Sequence, residues 1–156
     1  MPKLSAGLLL YRSAQEGLEV LLVHPGGPFW AKRDDGAWSV PKGEYGADED
    51  PLDAARREFR EELGTDPPAD PAPIPLGELR QPSGKRVTVW AVEGDVDVEA
   101  VHSNTFTMTW PPGSDRTGEF PEVDRAGWFE LGTARRKILS GQAGFLDRLS
   151  ETLGAG

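Results

Sequence analysis

Cysteine is missing from all 156 residues. That excludes disulfides, thiolate zinc sites and a cysteine nucleophile. Histidine is scarce as well. His24 and His102 are the only two, too few for a histidine-rich metal site, and each reads as an ordinary loop or strand-end residue. No Gly-x-Ser-x-Gly elbow occurs, so a serine nucleophile of that type is excluded. Gly84-Lys85-Arg86 lacks both the upstream glycine spacing and the Ser/Thr of a phosphate-binding P-loop. No apolar run nears the roughly 20 residues of a membrane span. Leu8-Leu9-Leu10, followed by Tyr11 and Arg12, is too short for a secretory h-region. A cytoplasmic protein with no membrane partner is expected.

Positive charge is also in deficit: 17 Lys and Arg against 26 Asp and Glu give a net charge of -9. Bulk electrostatic binding of nucleic acid or anionic lipid is therefore not expected. A small nucleotide held through metal ions is not excluded by that balance. The length suits one domain over residues 1–156, large enough for a real core. Glycine and proline are plentiful, which predicts a loop-rich fold.

What is present centres on Gly43 to Thr65. Asp50-Pro51 marks a helix start, because Asp caps free N–H groups and Pro loses no bond at the first helical position. Leu52, Ala55, Phe59 and Leu63 recur at helical spacing, and Gly64 is the expected stop. The opposite side carries Glu58, Glu61 and Glu62 at i, i+3 and i+4, three carboxylates on one narrow arc. Like-charge pairs at that spacing cost about 0.2–0.5 kcal/mol each. Glu61 and Glu62 also sit in the last turn, where the helix dipole disfavours negative charge. A helix built only for stability would carry Lys or Arg there. A divalent cation resolves the conflict, since Mg²⁺ prefers carboxylate oxygens and shares them with water and phosphate. A solvated acidic face beside Arg56, Arg57 and Arg60 is the plainer alternative.

The rest of the chain alternates strands and helices. Lys3–Tyr11 and Leu18–His24 read as apolar central strands around a polar turn at Ser13–Gly17. Phe29–Gly36 reads as a loop and Trp38-Ser39-Val40 as a short strand. Thr65–Pro75 is a Pro-rich connector. Leu76–Gln81 and Arg86–Glu93 form a hairpin, with Val87, Val89 and Ala91 on its buried face. Thr105–Trp110 is a strand, Pro111–Pro121 a polar loop and Val123–Phe129 the last strand. A C-terminal helical segment follows, its apolar face made by Ile138, Phe145, Leu146 and Leu149, with Gly141 splitting it in two. The expectation is an α/β sandwich.

Gly43, five residues, Glu49, seven residues, then Arg57-Glu58-Phe59-Arg60-Glu61-Glu62-Leu63-Gly64-Thr65 resembles the Nudix box, G-x5-E-x7-R-E-U-x-E-E-x-G-U with U a bulky aliphatic. Every fixed residue is present at its spacing. The two U positions depart: Phe59 is aromatic but apolar, and Thr65 is small and half polar. Trp38-Ser39-Val40-Pro41-Lys42-Gly43-Glu44 resembles the lead-in of diadenosine-polyphosphate hydrolases and of predicted bacterial nucleotide pyrophosphohydrolases. Glu122–Phe129 resembles the last strand of the same group.

That resemblance implies a Nudix-type α/β/α sandwich, a mixed β-sheet between helices, with the box as a loop–helix–loop at the sheet's edge. It implies a hydrolase that cleaves a phosphoanhydride in a nucleoside diphosphate linked to another moiety. Dinucleoside polyphosphates, nucleoside triphosphates and nucleotide sugars are the candidate substrates, the first slightly favoured by the lead-in. The implied cofactor is Mg²⁺, with Mn²⁺ as a substitute. The implied metal ligands are Glu58, Glu61, Glu62 and the Gly43 carbonyl. Glu58 is the expected base, although another of these glutamates, or another carboxylate on a loop, could take the role. Arg57 pairs with a neighbouring glutamate and fixes its rotamer, and Glu49 has an orienting role. Lys42 is placed for a phosphate oxygen, or is a plain surface lysine. Lys32 and Arg33 could meet distal phosphates, or stay solvated. Glu119 and Glu122 are candidates for an extra metal carboxylate, or are loop charges. Trp30, Tyr45, Trp90 and Trp110 are candidate base-stacking platforms, while Trp128 reads as core. The alternative function is a non-catalytic nucleotide-sensing module on the same fold. Such a module is expected to lose box glutamates, and all are retained here.

Overall fold

The computed structural model describes residues 3–15 and 17–154. The expected turn at Ser13–Gly17 includes Glu16, which lies outside the described residues. Strand β1 (Leu4–Ala14) is the axis of the sheet. It pairs antiparallel with β2 (Gly17–Pro25) and with the short β3 (Lys42–Glu44), and parallel with β5 (Arg86–Glu93). Strand β4 (Ile74–Arg80) lies outside β5, and β8 (Val123–Glu130) lies outside β2. The path β4-β5-β1-β2-β8 is therefore a mixed sheet.

The sheet is covered on both faces because its central strands are apolar at both parities. Leu8 and Leu10 of β1 point into a cluster with Ala54, Ala55, Phe59 and Leu63 of helix α1 (Pro51–Leu63). Leu9 and Tyr11 point the other way, toward Phe145, Leu146 and Leu149 of α3 (Ala143–Leu153) and Ala134 of α2 (Leu131–Lys137). The result is the expected α/β/α sandwich. Helix α1 lies over β1 near the middle of the sheet, not at its edge.

Local chemistry sets the helix boundaries. Asp50 accepts from the Asp53 N–H, Pro51 follows, and Gly64 closes α1 at φ 75°. Leu139 and a 3-10 turn at Ser140–Gln142 separate α2 from α3, where Gly141 predicted a break. Three segments differ from expectation. Trp38-Ser39 makes only isolated bridges to Ile138 and Val23; the strand forms at Lys42–Glu44, where Gly7 of β1 lets the chain pack closely. The Thr65–Pro75 connector stops early, because Pro75 lies within β4, an edge strand that tolerates a missing N–H. Pro111–Pro121 is not all loop: β7 (Thr117–Pro121) folds back on β6 (Thr105–Thr109) as a two-stranded ribbon.

Candidate active site

Ala54, Ala55, Phe59 and Leu63 bind helix α1 to the core, Asp53 and Arg60 face solvent, and the acidic arc lies between these two faces. The carboxylates do not fan into solvent. Glu58 is only 8% exposed, and its carboxyl rests on the backbone of Gly43, where a Cβ would come within 2.0 Å of it. A side chain at position 43 would therefore displace Glu58.

Arg57 ties the box together. Its Nε and Nη2 donate to the two oxygens of Glu49 at 2.9 and 3.0 Å. Its Nη1 donates to Glu58 at 2.9 Å and to both oxygens of Glu61 at 3.3 Å. This fork is work a lysine could not do. The hydrogen bond from Arg57 holds the Glu49 carboxyl below the usual carboxylate range. The same pairing, against the opposing effect of burial, raises the guanidinium further.

Glu62 turns toward β3, and its Oε1 accepts the Lys42 amide at 3.2 Å. Burial pushes its carboxyl up to about 8; the charges of Glu58 and Glu122 add to this, while Lys42 opposes it. Glu58 is raised by burial and then by Glu61, against the pull of Arg57. Glu122 is raised by burial and then by Glu61. Lys42 is shifted down, first by burial and then by Lys85, with Glu62 and Glu44 opposing. The three raised carboxyls, Glu58, Glu62 and Glu122, thus face one another between the end of α1 and the residue before β8.

Glu62 and Glu122 form the floor of a cleft of about 470 Å³. Its walls are apolar: Phe29 and Trp30 on one side, Phe106 and Met108 of β6 on the other. A smaller recess of about 210 Å³ shares Trp30, Glu62 and Glu122 and reaches Lys42. Close packing brings the two walls together. A Cβ on Gly26 would strike the Pro121 carbonyl at 1.9 Å, and one on Gly27 would meet the Phe106 ring at 3.0 Å. Across the rim, Phe29 meets Trp110 edge to face at 5.7 Å.

The sequence candidates divide accordingly. Gly43, Glu49, Arg57, Glu58, Glu61 and Glu62 come together, and Lys42 joins them. Glu122 is at the cleft, whereas Glu119 is an exposed residue of β7. Lys32 and Arg33 are exposed on the loop and do not line the cleft, though Arg33 stacks on Trp30 at 5.5 Å. Among the aromatic candidates Trp30 lines the cleft and Trp110 touches its rim. Tyr45 and Trp90 pack against the core beneath α1. Sequence reasoning missed Phe106 and Met108; the apolar alternation of β6 was the available signal.

The donor set has the chemistry a hard divalent cation takes: carboxylates, with the Gly43 backbone beside them. Its spacing is not closed. Among the described residues no three acidic or histidine groups converge as an ion would require, and Arg57 bridges Glu58 and Glu61 instead.

The model of the NUDIX domain matches residues 1–149. Two curated proteins named RNA pyrophosphohydrolase are similar over shorter stretches. That of Gluconacetobacter diazotrophicus is 54% identical over 41 residues, 26% of this chain and 22% of its own. That of Rhodospirillum rubrum is 45% identical over 67 residues, 41% of this chain and 39% of its own. The chain thus matches well under half the length of these relatives. An Ap4A hydrolase of C. elegans, solved as a binary complex, shares the fold with a TM-score of 0.61 at 22% identity, over 97% of this chain and 99% of that one.

Proposed function

The chain belongs to the NUDIX domain family, and from that premise we propose that it is a Mg²⁺-dependent pyrophosphohydrolase. Its substrate is a nucleoside diphosphate linked to another moiety, a dinucleoside polyphosphate or a nucleoside triphosphate. The observation that supports this is the polarity of the cleft: a floor of acidic groups and, a few residues away, walls of aromatic and apolar side chains. Phosphates belong at the first end and a base at the second.

Glu58, Glu61 and Glu62, with the Gly43 carbonyl, would hold the cation, and Glu122 would join them from outside the helix. When bound, it would offset phosphate charge and make water easier to deprotonate. The chain's own groups do the rest. Glu58 accepts the proton of the attacking water; its buried position and raised affinity for a proton suit that role. Arg57, held by Glu49, sets the rotamers of Glu58 and Glu61. Lys42 meets a phosphate oxygen from the narrow recess. Lys32 and Arg33, outside the cleft, meet only distal phosphates of a long substrate.

The test is a hydrolysis panel in Mg²⁺ and Mn²⁺, run in heavy-oxygen water to mark the attacked phosphorus. The panel holds Ap4A, nucleoside triphosphates, a nucleotide sugar and a 5′-triphosphorylated RNA. The RNA is included because of the names of the curated relatives. Turnover of a nucleotide with pyrophosphate-bond cleavage is expected. Tight binding without turnover of any member would favour the sensing module.

A further inference from the structure

His24 is fully buried, and nothing in the proposed chemistry uses it. It sits at the register shift between His24 and Pro25 in the pairing of β2 with β8. Its Nδ1 lies 2.9 Å from Asp124 Oδ1 on β8. Its Nε2 donates to the carbonyl of Arg33 at 2.6 Å, a group that can only accept. Its ring stands edge-on to Trp38 at 5.2 Å. The side chain thus joins the end of the sheet to the loop at residues 26–36 through Arg33.

That loop has other anchors, but they lie at its ends. Near its start, Gly26 and Gly27 pack on Pro121 and Phe106. Near its finish, Asp34 bonds the Trp38 indole at 2.8 Å and Lys137 at 2.6 Å, and Gly36 donates to the Arg136 carbonyl at 3.0 Å. Directly before Asp34, on the side toward Trp30, the Arg33 carbonyl takes its bond from His24. Arg33 then passes the restraint to the cleft wall: its N–H donates to the Trp30 carbonyl at 2.9 Å, and its guanidinium covers the Trp30 ring.

We propose that His24, oriented by Asp124, is a positioning residue that holds the Trp30 loop in its substrate-binding conformation. It touches no reacting atom. Its effect is to present Trp30 already ordered, so that binding does not bear the cost of freezing the loop. The inference rests on the functional reading only for its kinetic consequence, so the test has one arm that needs no substrate.

His24→Phe keeps a ring of similar size and removes both hydrogen bonds. Asp124→Ala removes the orienting group, and Asp124→Asn keeps an amide that can hydrogen-bond Nδ1 whether or not that nitrogen carries a proton. In limited trypsin digestion, His24→Phe and Asp124→Ala should be cut after Lys32 and Arg33 about fivefold to twentyfold faster than the parent. Cleavage elsewhere should be unchanged, and Asp124→Asn should resemble the parent. On any nucleotide the parent turns over, the first two variants should raise KM by a similar factor and leave kcat within about twofold. Faster cleavage at every site alike, or no change after Lys32 and Arg33, overturns the assignment. So does an Asp124→Asn variant no better than Asp124→Ala, or an unchanged KM. If His24→Phe fails to fold, the two Asp124 variants decide the matter. A parent with no turnover removes the functional proposal, while the digestion still tests the anchor.

Discussion

The acidic end of the cleft comes mainly from one helix, with Glu122 added just before β8, whereas the aromatic end is assembled wholly from separate stretches of chain. Glu58, Glu61 and Glu62 are fixed relative to one another by helical spacing, by Arg57 and by the bare backbone of Gly43. Trp30 and Phe106 are brought together only because a glycine pair admits a neighbouring ribbon. The first end is charged and built on a helix. The second is neutral and built on a loop and a ribbon. Chemistry needs the first arrangement, since reacting groups must be held within a fraction of an ångström. Substrate choice can use the second, because loop walls change without disturbing the reacting centre.

If the ends divide labour in this way, their variants should fail differently. Glu62→Gln keeps the shape of the acidic floor and removes its charge. Turnover should fall about 10²–10⁴-fold, the range expected for losing a group that acts in the transition state. Substrate affinity should change much less. A Glu62→Gln protein with near-parental kcat would dissolve the distinction between the ends. Trp30→Ala should do the reverse. Stacking of a base on an aromatic ring contributes about 1–3 kcal/mol, so KM should rise about 5–150-fold with kcat largely kept. A loss confined to kcat would place Trp30 at the reacting centre and break the comparison from the other side.

The strain at the acidic end should also be visible without substrate. The Glu62 carboxyl is pushed up to about 8 from an ordinary value of 4.5. Between those values the folded chain holds a proton that the unfolded chain has released. Its stabilising effect is complete below 4.5 and lost as pH rises through 8. In chelator, the melting temperature of the parent should fall across that window, and Glu62→Gln should flatten the fall. Added Mg²⁺ should restore stability most at the alkaline side, where the carboxylates are ionised. A slope equal in parent and variant would show that the burial of Glu62 is not what strains the helix.

How legible each end was follows from the same difference. Asp50, Pro51 and Gly64 signal their helix through local backbone chemistry, and the spacing of Glu58, Glu61 and Glu62 follows from 3.6 residues per turn. Those features were in the sequence. So was the double-sided burial of β1, because Leu8-Leu9-Leu10 is apolar at both parities. The strand at Lys42–Glu44 was not, because it depends on Gly7 of a different strand leaving room for it. The ribbon was misread between Pro111 and Pro121 because Thr117–Pro121 alternates weakly and is stabilised by its partner β6. His24 carries no periodic signal at all. Its importance comes from Asp124, a hundred residues away, and from a carbonyl that no sequence pattern displays.

Lys42 lies where the two descriptions meet, and its variant should have the smallest effect. Its backbone amide is bonded to Glu62, while its side chain shares the narrow recess with Glu62, Glu122 and Trp30. Lys42→Ala keeps the amide bond and removes the charge. If the ammonium meets a phosphate equally in ground and transition states, KM should rise about threefold to tenfold and kcat should hold. If it serves instead to keep Glu62 ionised, removing it lets the Glu62 carboxyl hold its proton to higher pH. The acidic limb of the kcat profile should then move upward while KM stays. The two outcomes give Lys42 different work at the acidic end, binding phosphate or tuning Glu62, and pH profiles of both constants on one substrate separate them.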